Sequence, residues 1–414
     1  MTQPAGAALE AHLAAFSQST PMAVAVSGGG DSLALLHLLH DRGLVAAALT
    51  VDHGLRPEAT DEARMVAGIC DRLGVRHATL NWRWDGDGNL SEAARVGRYA
   101  ALAEWCRAEG LMTCALGHTR DDNVESFFMG LSRGAGLDGL CGMRPVFDRD
   151  GVAFHRPLLG ASREALRDDL RARGVDWAED PTNSDTSYDR ARIRAALAAL
   201  DLPDASIAQS IGNLAATRRD IGEELLHRLS GHWRLDGPDI VIDLGAWSQL
   251  TAEFRRRTLT AALRFHTAAQ HAPRGAALMR MVNRDWTGDP GPATLAGCAI
   301  GAEAAQLRIG REAAATPPAV STRDTWDNRW TVEGAHSPDT VIRALGEAGA
   351  ARLDPDWKAG TLPRRSMLAA PSVWRGDVLV YCPFAPVGDP KAQEDWNCAS
   401  AGDVQRFTAA LVSA

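Results

Sequence analysis

Ser27-Gly28-Gly29-Gly30-Asp31-Ser32 stands between the apolar run Val24-Ala25-Val26 and the apolar stretch from Leu33 to Leu39. Three adjacent glycines let backbone amides approach a ligand closely. Such a turn at the start of a helix, with two hydroxyls beside it, is a cradle for phosphate oxygens. Asp31 narrows the chemistry. A carboxylate beside a polyphosphate repels it unless a divalent cation lies between, so Asp31 reads as a magnesium ligand that neutralises a leaving pyrophosphate. Two commoner phosphate loops are excluded. A Walker loop needs a lysine after its last glycine, and a dinucleotide fingerprint needs a third glycine where Leu33 stands.

Two further groups of polar residues follow apolar runs. In Val51-Asp52-His53-Gly54-Leu55-Arg56, Asp52 and His53 could meet a nucleotide or an activated base and Arg56 could reach a phosphate, although Asp-His-Gly taken alone is also an ordinary turn. In Gly117-His118-Thr119-Arg120-Asp121-Asp122-Asn123-Val124-Glu125-Ser126, a helix opening near Asp121 sets Asp121 and Glu125 at i,i+4 and Asp122 and Glu125 at i,i+3. Crowded carboxylates call for a cation, either magnesium or an ammonium group, although acids in a first turn also complement the helix dipole. His118 could orient or protonate a leaving oxygen. Arg133, in a glycine-rich loop, suits phosphate or RNA backbone. Arg190 and Arg194 share a helical face fit to clamp a triphosphate or an anticodon-loop phosphate. Residues 156 to 194 hold eight Arg against eight Asp or Glu, so part of this region reads as salt-bridged surface.

These groups need strands to deliver them, and the first half alternates short apolar runs with helical patterns, as a parallel sheet built from βαβ units does. Strands are expected at Ala23 to Val26, Val45 to Val51, Val75 to Leu80, Met112 to Leu116 and Val152 to His155. Helices are expected at about Ser32 to Asp41, Ala59 to Leu73, Ser91 to Ala108, Asp121 to Arg133 and Ser162 to Arg173, stopped by Gly43, Gly74, Gly110 and Gly174. The expected class is α/β, a doubly wound parallel sheet with smaller α+β domains after it. Ligands of such sheets sit beyond the carboxyl ends of the strands, where the loops after Val26, Val51 and Leu116 fall. The expected domains are 1–215, nucleotide-binding with trailing helices; 216–315, a small unit; and 328–414, a Trp-rich unit. The Pro-bearing stretch from Ala315 to Asp327 reads as a linker.

A chain of 414 residues with 45% hydrophobic content is long enough for two or three domains with real cores. No Lys or Arg precedes Arg42, and no apolar run approaches the ~20 residues that span a bilayer, so a cytoplasmic protein is expected. The seven cysteines never form a C-x-x-C pair. A net charge of -8 does not advertise nucleic-acid binding. Only Lys358 and Lys391 are lysines, which excludes a Schiff-base or Walker lysine from the first half.

SGGGDS resembles the signature of the PP-loop ATP pyrophosphatases, which cleave ATP between the α and β phosphates and adenylylate a carbonyl oxygen. Taken in order, SGGGDS, VDHGLR, Ala94-Arg95 to Arg98-Tyr99, GHTRDDNVES, RGAGLDGL, RPLL and WAEDPTN resemble the motif series of the tRNA(Ile)-lysidine synthetase family over about residues 22 to 194. The match is weaker beyond, at Thr294 to Cys298, Arg311-Glu312, Leu362-Pro363 and Trp374, which are similar to that family's tRNA-binding domains.

The resemblance implies ligation of free L-lysine to C2 of the wobble cytidine of a CAU anticodon in tRNA(Ile), through an adenylylated intermediate. ATP and Mg2+ are the implied cofactors. The implied phosphate and ATP residues are Ser27, Gly28, Gly29, Gly30, Asp31, Ser32, Asp52 and His53, and the implied metal ligands Asp31 and Asp121. His118 would assist adenylylation, Asp122 and Glu125 would receive lysine, and Arg190 would contact substrate phosphate. Arg56, Arg95, Arg98, Arg133 and Arg194 would face tRNA. A homodimer is compatible with the sequence. Thr119, Asn123 and Ala191 depart from the family's usual His, Gln and Asn, none removing a charge that the mechanism needs. The rivals are a tRNA thiolase of the same superfamily, which normally needs a paired cysteine site, a synthetase acting on a metabolite, and a non-catalytic nucleotide-dependent RNA-binding protein.

Overall fold

β1 (Met22–Ala25) is apolar throughout and almost wholly buried, as a strand covered by helices on both faces must be. The computed structural model describes the chain apart from residues 1–8, 10–18, 55–57, 85, 87–89, 180–188, 201, 270–272, 274, 289, 361, 401–402 and 414. It divides into two compact units, Met1–Ala216 and Thr217–Ala414. In the first, β1 pairs in parallel with β2 (Val45–Asp52) on one side and β4 (Thr113–Leu116) on the other. β3 (His77–Asn81) lies beyond β2, and β6 (Val152–His155) beyond β4. The order β3-β2-β1-β4-β6, with β5 (Val146–Arg149) at the edge beyond β6, therefore reverses direction at β1, which opens a crevice beyond the carboxyl ends of β1 and β4.

Successive strand residues point to opposite faces, and each face has its own core. Val24, Ala48 and Ala115 join Leu33, Leu36, Val66, Ile69, Leu166 and Leu170 on one side. Their neighbours Ala23, Leu49 and Cys114 join Tyr99, Leu102 and Cys106 on the other. The helices Gly30–His40, Glu58–Leu73 and Arg163–Arg173 supply the first core, and the helix Leu90–Ala108 the second. The four expected stop glycines, Gly43, Gly74, Gly110 and Gly174, all lie at φ between 66° and 70°.

The sheet is not wholly parallel. β5 (Val146–Arg149) forms an antiparallel edge on β6, turned by Asp150 at φ 51° and Gly151 at φ 78°. An Asp-Gly pair with both residues at positive φ is the favoured two-residue hairpin turn, so the signal for β5 was in the sequence. Two helices follow, Asp189–Leu200 and Asp204–Leu229.

The second unit contains the antiparallel sheet β7-β8-β11-β10-β9, of Trp233–Asp236, Asp239–Asp243, Gln306–Arg311, Cys298–Glu303 and Ala293–Leu295. The helix Ala252–Thr267, capped by the Thr251 hydroxyl, buries Leu259, Ala262 and Leu263 in the same core as Ile240, Ile242 and Ile309. The four-stranded sheet β12-β14-β15-β16 completes the unit with the pair β13-β17, their strands being Val320–Ser321, Thr340–Ala344, Pro371–Arg375, Val378–Tyr381, Thr331–Glu333 and Asn397–Ala399. The stretch from Ala315 to Asp327 is not the free linker its prolines suggest. It contains β12, buries Trp326, and ends in a carboxylate held bidentately by Arg311 at 2.8 Å on both nitrogens. That guanidinium also donates to the carbonyls of Gly297 and Ala315, which commits Arg311 to holding the fold.

Candidate active site

The loop after β1 and the loop after β4 close on one cavity of about 770 Å³, lined by Ser27, Gly29 to Ser32, His53, Arg98, Gly117, His118, Asp122, Arg163, Arg190 and Arg194 among others. All belong to the first unit. Gly28, at φ 87°, is the one loop glycine whose backbone demands glycine. The hydroxyls rigidify the turn: Ser32 Oγ donates to the Gly29 carbonyl at 2.9 Å and accepts from the Ser27 amide at 3.1 Å, with the Ser27 hydroxyl 3.2 Å away. Trp177 and Ala178 brace it from outside. The Ala178 amide donates to the Gly28 carbonyl at 3.0 Å, and the Trp177 ring lies 3.4 Å from where a Cβ on Gly30 would be. The start of WAEDPTN thus serves the phosphate loop, while its residues from Asp180 lie outside the described residues.

The acid cluster after β4 is held by a guanidinium. Arg163 Nε donates to Asp31 Oδ2 at 3.1 Å, Nη2 to Asp122 Oδ1 at 3.0 Å and Nη1 to Glu125 Oε1 at 3.3 Å. Its backbone amide donates to Asp121 Oδ2 at 2.8 Å, tying the start of one helix to the start of the next. Both readings of the acidic turn are therefore present in part. Asp122 completes a capping box, its Oδ2 accepting from the Thr119 amide at 2.9 Å and hydroxyl at 3.0 Å, while its Oδ1 faces Arg163. Glu125 is 2% exposed and lies behind the cavity wall, where Arg194 Nε reaches Oε1 at 2.8 Å and Arg190 Nε lies 3.5 Å from Oε2. Ala191 is buried between those two arginines along the helix and displaces neither.

The electrostatics follow from burial. Asp31 is pushed up to about 6 by removal from water, against the pull of Arg163. For Asp122 burial acts the same way, but Arg163, the Thr119 amide and Arg190 outweigh it and hold the carboxyl below its usual value. Burial, then Arg156 and Arg98, push His118 down to about 3. Arg156 Nε donates to His118 Nδ1 at 3.2 Å, which places the imidazole's own proton on Nε2. His118 is therefore a neutral hydrogen-bond donor in this cavity. Of the two expected roles, orienting or protonating a leaving oxygen, a neutral imidazole that donates a hydrogen bond suits the first, because desolvation and neighbouring guanidiniums disfavour the imidazolium.

Other expected residues fall elsewhere. Asp52 is buried and its Oδ1 accepts from the Gly54 amide at 2.7 Å, so it shapes the turn that presents His53. Arg98 lines the cavity, where its charge depresses His53 and His118. Arg95 pairs with Glu92 at 2.8 Å, and Arg133 with Asp189 at 3.2 Å. Arg56 lies outside the described residues. Arg163 was missed, hidden among eight arginines in a charge-balanced stretch. Its signal was local: it follows the cap residue Ser162, and a cation at the positive end of a helix dipole is misplaced unless acids elsewhere in the fold hold it.

Magnesium fits the donor set in a limited sense. Among the described residues no group of three His, Cys, Asp or Glu forms a cation cage. Mg2+ on nucleotides, however, takes one or two carboxylates and the phosphates themselves, and Asp31 at the helix start is such a carboxylate.

A parallel sheet with its phosphate loop at the switch point and carboxylates across the crevice defines a PP-loop nucleotide-binding enzyme, and a family model described as a PP-loop domain (ATP_bind_3) matches residues 3–200. The tRNA(Ile)-lysidine synthase of Ruegeria pomeroyi is 38% identical over 414 residues, covering 97% of each chain. That of Hyphomonas neptunium is 36% identical, covering 77% of this chain and 90% of the relative, and that of Mesorhizobium japonicum 37% identical, covering 84% and 81%. The chain belongs to the tRNA(Ile)-lysidine synthase family.

Proposed function

We propose that the cavity joins free L-lysine to C2 of the wobble cytidine in the CAU anticodon of tRNA(Ile), consuming ATP and releasing pyrophosphate and AMP. The chain is an ATP-using ligase. The observation that carries the finer reading is that Asp122 and Glu125 meet the phosphate loop at a single guanidinium, so an amine pocket and a polyphosphate pocket share one wall.

The phosphate loop and the amides opening the helix Gly30–His40 hold the ATP phosphates. The C2 oxygen of cytidine attacks the α phosphorus, and the bond to pyrophosphate breaks. His118 Nε2–H, neutral and fixed by Arg156, donates to an oxygen that gains charge in this step. The side-chain amine of lysine then attacks C2, the C2–O bond breaks and AMP leaves. Asp122 and Glu125 hold an ammonium group of lysine and so orient the other amine. Asp31, with Asp121 near it, would hold magnesium, which when bound neutralises the departing pyrophosphate. In this reading Arg190 and Arg194, which line the same cavity, contact substrate phosphate, and the half-buried Arg95 and exposed Arg133 contact the RNA backbone. Such an enzyme works where tRNA and free lysine are, in the cytoplasm; among the described residues no helix is long and apolar enough to cross a membrane.

The test is transfer of radiolabelled lysine to an unmodified CAU-anticodon isoleucine transcript, with ATP and magnesium, beside an Asp122→Ala control. Labelling of the wobble cytidine that disappears in the control is expected. ATP cleavage without lysine transfer would refute the amine reading and leave the nucleotide site standing.

A further inference from the structure

The acid cluster is charge-balanced with no substrate in place. Asp31, Asp122 and Glu125 face Arg163, Arg190 and Arg194, and an arriving ammonium finds no unpaired carboxylate among them. Two oxygens it could take, Asp122 Oδ1 and Glu125 Oε1, are those that Arg163 Nη2 and Nη1 occupy at 3.0 and 3.3 Å, while Glu125 Oε2 is buried without a hydrogen bond, 3.5 Å from Arg190 Nε. Glu125 Oε1 also accepts from Arg194 Nε at 2.8 Å, so an arriving ammonium meets guanidiniums already on these oxygens and competes with Arg163, the one of them that also reaches Asp122 and Asp31. The third contact of Arg163, from Nε, runs to Asp31 in the phosphate loop itself. The side chain therefore joins the acid cluster to the phosphate loop. Its Cα stands at the first position of a helix, where the dipole favours anions and does nothing to keep a cation in place.

We propose that Arg163 is an internal substitute for the substrate ammonium: it closes the Asp122–Glu125 pocket in the empty enzyme, yields both carboxylates when lysine enters, and passes to the phosphates of bound ATP. This rests on the amine pocket described above. The two substrates then favour each other through one residue, since phosphates draw the guanidinium off the acids and lysine drives it toward the phosphates. Linkage makes that preference reciprocal. Arg163 acts here as a positioning residue that competes with one substrate and follows the other.

The experiment is calorimetric titration of lysine into the full-length protein, with and without an ATP analogue whose α–β bridge is methylene. In the parent, the analogue should tighten lysine binding by about tenfold. Arg163→Gln, which keeps a hydrogen-bonding amide but no charge, should bind lysine about tenfold more tightly than the parent without nucleotide, and lose nearly all dependence on the analogue. A purely structural Arg163 gives the opposite sign. Unchanged or weaker lysine binding by a folded Arg163→Gln that still binds the analogue overturns the proposal. Should that variant not fold, the parent labelled with 15N-arginine decides: the Arg163 Nε–H resonance, assigned by its loss in Arg163→Lys, should shift when lysine saturates the protein, and a stationary signal overturns it. Lysine binding that survives Asp122→Ala would instead remove the amine pocket itself, an outcome independent of Arg163.

Discussion

Gly117 is where β4 meets the phosphate loop, and Gly117→Ala is expected to weaken ATP binding without altering any group that contacts ATP. A Cβ at this position would lie 2.9 Å from Ser32 Cα, 3.0 Å from Ser32 N and 3.1 Å from the Asp31 carbonyl carbon. Gly117 does not have a positive φ, so the cost is one of space alone. Carbon atoms rest at about 3.5 Å or more from one another, so the first turn of the helix Gly30–His40 must retreat by about 0.5 Å. It has nowhere to go, because Leu33, Ala34, Leu35 and Leu36 behind it are fully buried. Overpacking of this kind costs about 1–3 kcal/mol. A misplacement of about 1 Å can cost about a hundredfold in rate, so half of that distance corresponds to roughly tenfold. The assay combines ATP affinity by calorimetry, ATP–pyrophosphate exchange in the presence of tRNA, and urea unfolding. Gly212→Ala is the control. A Cβ there meets nothing within 4 Å, and a helical Gly→Ala change should stabilise by about 0.5–1 kcal/mol. ATP affinity and exchange within twofold of the parent in Gly117→Ala would refute the idea that backbone contact at this point sets the loop.

Thr119→Val keeps shape but removes the hydroxyl that caps the helix and contacts Asp122, and should cost about 1–2 kcal/mol in urea unfolding. His118, at about 3 in the fold against 6.5 unfolded, is protonated first in the unfolded chain. Its contribution is therefore intact above pH 6.5 and declines as pH falls toward 3, by about 2 kcal/mol between pH 7 and pH 5. Unfolding of His118→Gln at those two pH values should show that much less decline than the parent, and an identical decline would exclude His118 as its source. Trp177→Ala removes the ring packed against Gly30 and should weaken ATP binding about tenfold, with Trp177→Phe retaining most of it.

What could be read from the sequence was what short-range pattern decides. The phosphate loop lies within six consecutive residues, and the buried strands repeat the same strand-to-helix grammar, so the α/β class was legible from local rules, whereas the strand order was not. Arg163 had only a weak local signal, a cation just after the cap Ser162, and its partner could not be found that way: its contact with Asp31 joins residues 132 positions apart. The acids after β4 showed that a cation was needed, and nothing local to them said that the chain itself supplies one. Asp52 was ambiguous for a related reason, since a carboxylate two residues before a glycine satisfies a turn amide as readily as a ligand. The stretch around Trp326 reads as a linker by its prolines, and only the partner Arg311 reveals that it is folded.

The charge total misleads in the same way as the Pro-rich stretch, because it is a sum over positions that folding separates. A net charge of -8 speaks to the distant field, whereas a phosphate inside a cavity feels what lines that cavity. There Arg98, Arg163, Arg167, Arg190 and Arg194 meet Asp31, Glu62, Asp122 and Glu179, a near balance in place of an acidic surplus. Near balance suits two substrates of opposite charge. A strongly basic wall would hold ATP and repel an amine, and a strongly acidic one would do the reverse. With acids and arginines interleaved in one lining, an anionic and a cationic substrate would each find partners of opposite charge there.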